Sequence, residues 1–76
     1  MNKIRRKELR KAIELLEQAY SIIETAQEEE QESFDNMPEG LQYSELGQKI
    51  AENAYALEDV AGSIEDLVSQ IEEIVE

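Results

Sequence analysis

The stretch S-F-D-N-M-P-E-G-L-Q-Y-S-E, residues 33–45, is the one place in this chain where helix-forming sequence stops. Pro38 has no backbone N–H and biases the preceding residue away from the helical region, so an incoming helix should end by about Asn36. Ser44 is a favourable N-cap for a second helix. The stretch therefore predicts a hinge between two helices.

Both flanking arms have the composition and periodicity of long helices. Neither Pro nor Gly occurs between residues 2 and 33, and apolar residues recur every seven positions in both arms. A seven-residue repeat is typical of coiled-coil-like packing. We therefore predict an all-α fold with a single domain, residues 1–76, folded as an antiparallel two-helix hairpin. Its predicted parts are a helix at about 3–33, a hinge at about 34–43 and a helix at about 44–75.

The second arm carries more apolar surface than one partner helix can cover. Its three rows are Ile50, Leu57, Ile64 and Ile71; Leu46, Val60, Leu67 and Ile74; and Ala54, Ala61, Val68 and Val75. One row would stay in water in a lone hairpin. A chain of 76 residues without cysteine also has neither a large core nor a disulfide to compensate.

We therefore expect the hairpin to dimerise into a four-helix bundle, with a trimer or a larger ring of hairpins as the alternative. A polar residue within a helical seam is a common device for setting register or oligomer number, and Asn53 occupies such a position. The expected oligomer seam consists of Ile50, Asn53, Leu57, Ile64 and Ile71.

Charge is distributed unevenly along the chain, whose formal net charge is −12. Residues 1–11 hold six cations and one carboxylate, which gives +5, whereas the remaining residues hold one lysine and eighteen carboxylates, which gives −17. An acidic body repels nucleic acid and suits a partner protein with a basic surface.

The basic N-terminal segment has two interpretations. Arg5, Arg6, Arg10 and Lys11 lie within about two helical turns of one another, where they could hold a nucleotide or another phosphate ligand. Alternatively, an antiparallel hairpin places these cations beside the glutamates of residues 72–76, and the attraction would offset their unfavourable position in the helix dipole. The sequence leaves both open.

Four apolar side chains crowd the hinge: Phe34, Met37, Leu41 and Tyr43. We expect them to fold back and cover the open end of the helix pair, with a partner-binding epitope as the alternative. Residues 38–40 suit a tight turn or one turn of 3₁₀ helix, and Gly40 is able to take a positive φ there.

The residue types needed for most enzyme chemistry are absent. The chain has no His and no Cys, which removes the commonest general base and a common nucleophile. No Gly-rich phosphate loop, Glu-x-x-His motif or EF-hand spacing occurs. We therefore expect no enzyme activity, no cofactor and no metal. No apolar run reaches the ~20 residues of a membrane span, so no membrane partner is expected either.

The run E-E-E-Q-E-S-F-D-N-M-P-E-G-L-Q-Y-S-E-L-G, residues 28–47, resembles the central signature of small acidic proteins encoded by phages and prophages of Firmicutes and other gut bacteria. The resemblance covers most of the chain: a basic start, an acidic helix, the F-D-N-M-P-E-x-L-Q-x-S-E turn and a second acidic helix. It implies a phage accessory protein in the cytoplasm of a bacterial host. The family has no assigned activity, and interference with a host machine is one function that the context implies.

Three functions remain open on this basis. The first is an anti-defence type of binding protein that inhibits or modulates a host protein through an acidic surface, in the manner of a nucleic-acid mimic. The second is a sponge for a nucleotide signal at the basic tip, and the third is a purely structural oligomerisation module. The candidate acidic contacts of the first are Glu58, Asp59, Glu65 and Asp66.

Overall fold

The computed structural model describes residues 1–76, which form three helices: α1 (Lys3–Asp35), α2 (Glu39–Gln42) and α3 (Glu45–Val75). The two long helices pack against each other along a rod of 58 × 14 × 13 Å, and α2 is a single turn in the connection. The predicted all-α helical hairpin is therefore confirmed. The first helix runs two residues further than predicted, to Asp35.

Side-chain caps define where the two long helices begin. Oδ1 of Asn2 accepts a hydrogen bond from the backbone N–H of Arg5 at 2.8 Å, and Oγ of Ser44 accepts one from Gly47 at 3.1 Å. Each bond satisfies one of the amides that the first turn of a helix leaves without a partner. The Ser44 cap follows the prediction, whereas the Asn2 cap was not anticipated.

Two glutamine side chains hold the hinge together. Nε2 of Gln42 donates to the carbonyl oxygen of Phe34 at 3.0 Å. This oxygen, in the last turn of α1, also accepts the backbone N–H of Met37 at 3.1 Å. Nε2 of Gln48, in α3, donates to the carbonyl oxygen of Gln42 at 3.0 Å. The chain of two bonds links the end of α1 to the start of α3 through α2.

Gly47 is buried because α3 passes directly over the backbone of α2. A Cβ at this position would lie 2.5 Å from the carbonyl oxygen of Leu41 and 2.6 Å from that of Gln42, so no larger residue fits without a backbone shift. The expectation of a positive φ at Gly40 is wrong, because no residue in the chain has a positive φ. Gly40 instead lies in the helical turn of α2.

The contact between α1 and α3 is a narrow seam with alternating spacings of three and four residues. In α3 its buried or half-buried positions are Gly47, Ile50, Ala54, Leu57, Ala61, Ile64, Val68, Ile71 and Val75. The facing positions of α1 are Leu9, Ile13, Leu16, Tyr20, Ile23, Gln27, Glu30 and Phe34. This spacing is that of a left-handed coiled coil, as the seven-residue repeat predicts.

The seam gives the single hairpin a small core. Only six of the 76 residues are buried, and most of these are small or of moderate size. The accessible surface is 5868 Å², against about 4,700 Å² for a compact monomer of 8.7 kDa. The elongated hairpin therefore leaves roughly 1,100 Å² more surface in water than a compact domain of this mass.

Candidate interaction surfaces

The two flanks of the seam have opposite chemical character. Because α1 and α3 run in opposite directions, corresponding rows of the two helices face each other across the seam on each flank. The rows on the first flank are Glu17, Glu24 and Gln31 of α1 with Glu58, Glu65 and Glu72 of α3. The rows on the second flank are Ala12, Ala19 and Ala26 of α1 with Leu46, Asn53, Val60, Leu67 and Ile74 of α3. We call the first the acidic flank and the second the apolar flank.

An open groove crosses the middle of the acidic flank. It contains all four acidic residues that the sequence singled out in the second arm, Glu58, Asp59, Glu65 and Asp66. Across the seam, α1 supplies two further carboxylates to the same groove, those of Glu24 and Glu28. Sequence reasoning missed the contribution of α1, because the relative register of the two helices cannot be derived from either repeat alone.

Tyr20 lies in this groove between carboxylates from both helices. Hydrogen bonding to the carboxylate of Glu24, and then to that of Glu65, raises the pKa of Tyr20 well above its ordinary value. Ionisation of the phenol would place a third negative charge beside these two. The hydroxyl therefore stays protonated further into the alkaline range than that of an ordinary tyrosine.

Tyr55 borders the same groove and is 74% exposed. An exposed aromatic ring surrounded by carboxylates can stack on an arginine guanidinium while the carboxylates pair with its charge. The groove therefore has the chemistry to recognise arginine on another protein. The spacing of Tyr55 from Glu58 and Asp59, three and four residues along one helix, could have indicated this from the sequence, but only once the position of the seam is known.

The apolar flank exposes several large apolar side chains on both helices. Leu46 is 65% and Ile74 is 58% exposed, and these residues mark the two ends of the row on α3. Leu15 and Ile22 of α1 lie beyond the alanine row on the same flank, and Ile22 is 71% exposed. The sequence predicted that one of three rows stays uncovered in a lone hairpin, and the structure identifies which one.

The residues proposed as an oligomer seam lie instead at the contact between α1 and α3 of one chain. Ile64 is buried there, and Ile50, Leu57 and Ile71 are half-buried. Nδ2 of Asn53 donates to Oε2 of Glu30 at 3.2 Å, which ties the two helices together in register. In a single chain these residues therefore already pack against α1. The apolar row that remains uncovered is the adjacent one, from Leu46 to Ile74, on the apolar flank.

The apolar residues of the hinge divide into two pairs. Phe34 and Met37 are half-buried under the hinge, whereas Leu41 and Tyr43 are exposed. The expectation that all four fold back over the end of the helix pair therefore differs from the structure. The half-buried side chain of Gln42 takes the inward position, because its amide satisfies the Phe34 carbonyl oxygen there.

The basic N-terminal segment of α1 is longer than the part of it that α3 can reach, so some of its residues lie beside α3 and the others lie beyond its C-terminal end. Glu30 contacts Asn53, and Tyr20 lies beside Glu65. Because the two helices are antiparallel, each residue towards the N-terminus of α1 lies level with one residue further towards the C-terminus of α3. Extrapolated from these two pairs, Glu76 lies level with about residue 9 of α1. Residues 3–8 therefore project beyond α3 by roughly 9 Å. We call residues 1–8 the overhang.

The cations proposed to bind phosphate fall on both sides of this boundary. Arg5 and Arg6 lie in the overhang, whereas Arg10 and Lys11 lie level with the C-terminal glutamates of α3. Nη2 of Arg6 donates to the carbonyl oxygen of Met1 at 3.2 Å, and Arg5, Arg10 and Lys11 are exposed. The overhang thus presents the charges of Lys3, Arg5 and Lys7 to water, whereas Arg6 is half-buried.

Other classes of site have no support in this fold. No group of three or more carboxylates is arranged to hold a metal ion. None of the three helices combines the length and the apolar content needed to cross a bilayer. No family model, curated protein or solved structure matches this chain, so its function has to be inferred from the surfaces described above.

Proposed function

We propose that this protein is a non-catalytic binding protein that dimerises through its apolar flank and engages a basic surface of another protein with its acidic flank. The observation that carries the proposal is the opposite character of the two flanks of one thin hairpin. An apolar flank is stable when covered, whereas six carboxylates around one groove are stable only in water or against cations.

The dimer is supported by the size of the uncovered surface. A stable protein–protein interface buries about 800 Å² on each partner, and the surface excess of the lone hairpin is of the same order. Four helices packed side by side would cover the apolar flanks with each other. A ring of hairpins is the alternative arrangement, and it would cover the same row.

The partner is inferred from charge and geometry. Docking through the apolar flanks leaves two acidic grooves on the outside of the dimer, each with carboxylates from both helices. The negative potential of such a surface attracts basic proteins and repels nucleic acid. A pair of rigid grooves on one dimer also permits bivalent attachment, which strengthens binding to a repeated or dimeric partner.

The resemblance of the hinge region to small acidic phage proteins supports a more specific proposal. The basic partner is then a host protein in the bacterial cytoplasm, and binding inhibits or modulates it. A nucleic-acid-binding surface of a defence protein has the charge that the acidic flank would complement.

The test is capture of partners from a bacterial lysate by tagged protein and by a variant with Glu58, Asp59, Glu65 and Asp66 changed to Lys. We expect the wild type to capture a basic protein in a salt-sensitive manner, and the variant to lose it. A control reverses four exposed carboxylates outside the groove: Glu14, Glu52, Glu73 and Glu76. This control should keep most of the capture. Equal capture by all three proteins would disprove the role of the groove.

A second candidate function is supported by the overhang. Arg5 and Arg6 project beyond α3, and dimerisation could bring further cations near them to bind a nucleotide or another phosphate ligand. Such a ligand would raise the melting temperature of the protein. A broad panel of nucleotides that leaves the melting temperature unchanged would count against this function. A stable dimer with neither a protein partner nor a ligand would instead support a structural oligomerisation module.

A further inference from the structure

We propose that two copies dock through their apolar flanks with opposed long axes, so that the overhang of each copy lies beside the hinge of the other. The inference rests on the proposed dimer and adds its orientation. In the competing arrangement the two hairpins point the same way, with hinge against hinge and overhang against overhang.

The apolar flank is suited to a second copy because it is long, straight and self-complementary. The row from Leu46 to Ile74 spans 28 residues, or about 42 Å of helix. The neighbouring row of α1 consists of alanines, and a shallow depression on this helix is lined by Ser21, Ile22, Thr25, Ala26 and Glu29. With opposed long axes, α1 faces α1 and α3 faces α3, so the alanines let the two α1 helices approach closely while the large side chains of the two α3 helices pack against each other. A two-fold axis pairs such a flank with itself.

Charge selects between the two orientations. The hinge end of the hairpin, residues 28–39, carries six carboxylates and no cation, whereas residues 1–11 carry six cations and one carboxylate. A same-direction dimer would gather the two acidic hinges at one end and the two basic segments at the other, where each α1 faces only the glutamates of residues 72–76 of the second copy. The opposed dimer instead puts α1 against α1, so that each basic segment faces the six carboxylates of the other hinge end.

Spin-label distances test the orientation directly. The chain has no cysteine, so one introduced cysteine carries one nitroxide label per copy. Glu39→Cys labels the exposed first residue of α2, in the hinge and away from the apolar flank. Double electron–electron resonance should give about 45–50 Å between the two labels in the opposed dimer, from the axial rise of 1.5 Å per residue. A distance below roughly 25 Å, two helix diameters, would overturn the opposed orientation.

A second label separates failure of the orientation from failure of the dimer. Ser63 is exposed and lies close to the middle of the hairpin, so labels on Ser63→Cys should be less than about 30 Å apart in either orientation. A short Ser63 distance with a short Glu39 distance rejects only the orientation. Absence of dipolar coupling at both sites means that no dimer forms, which rejects the inference together with the dimer it rests on.

Charge reversal gives an independent test, because the dimer dissociation constant should change in opposite directions in the two orientations. In the opposed dimer, Arg5→Glu replaces attraction to the acidic hinge with repulsion, so the dimer dissociation constant at low salt should rise about three- to tenfold. In a same-direction dimer it would instead fall. Lys49→Glu, at the hinge end, is the matched control and should lower the dissociation constant in the opposed dimer. A fall with Arg5→Glu would overturn the inference.

Discussion

The amide of Gln42 donates to the carbonyl oxygen of Phe34 at 3.0 Å, and this bond joins α2 to the last turn of α1. The bond crosses the hinge. Nothing in the sequence sets Gln42 apart from the other glutamines, so the bond could not be predicted. The position of α2, and with it the direction in which α3 leaves the hinge, depends on this contact and on the bond from Gln48 to Gln42.

Gln42→Ala should destabilise the hairpin by about 1 kcal/mol, because the half-buried Phe34 carbonyl oxygen loses one of its two donors and keeps only the backbone N–H of Met37. The matched control is Gln18→Ala, at an exposed position in the middle of α1, where a change within about 0.5 kcal/mol is expected. Urea unfolding followed by circular dichroism measures both. Equal stability of the two variants would mean that the hinge does not depend on this bond.

Two glycine-to-alanine substitutions in α3 should have opposite effects. A Cβ at position 47 collides with the Leu41 and Gln42 carbonyl oxygens of α2, so Gly47→Ala should cost at least about 2 kcal/mol. A Cβ at position 62 has no atom within 4 Å, so Gly62→Ala should stabilise the helix by up to about 1 kcal/mol. Thermal unfolding of both variants checks the prediction. Stabilisation by both would show that α2 can move away from α3 at little cost.

The stability of the protein should fall at alkaline pH partly because of Tyr20. Its pKa is raised in the folded state, so this contribution to stability is complete below the ordinary pKa of 10.0 and is lost as the pH rises above that value. Urea unfolding midpoints between pH 8 and pH 11 should therefore fall less steeply for Tyr20→Phe than for the wild type. If the unfolding midpoints of both proteins fall equally steeply with pH, the hydrogen bonding of Tyr20 to Glu24 and Glu65 is contradicted.

A charge in the middle of the apolar flank should separate the subunits. Val60→Glu would bury two carboxylates at the centre of the proposed dimer, which should raise the dissociation constant at least about 100-fold. The control is Tyr55→Glu, an equally drastic change on the acidic flank, which should leave the mass at twice 8.7 kDa. Sedimentation equilibrium distinguishes the outcomes. A dimer that survives Val60→Glu must use another surface.

The sequence by itself determined the features that depend on neighbouring residues. Pro38 ends the first helix near Asn36, Ser44 caps the second, and the seven-residue repeat predicts that two long helices pack as a hairpin. Each of these follows from backbone geometry or from side-chain spacing within one segment. They could therefore be predicted without knowing how the segments meet.

Only the tertiary structure decided which of the three apolar rows of α3 faces α1. Ile64 and Val60 are equally apolar and lie on adjacent rows, yet Ile64 is buried in the seam and Val60 is exposed on the apolar flank. The choice depends on contacts between segments: the close approach of Gly47 to α2, and the register that brings Asn53 to Glu30 and Glu65 to Tyr20. A periodic repeat is compatible with several rotations of a helix, and packing against its partner selects one of them.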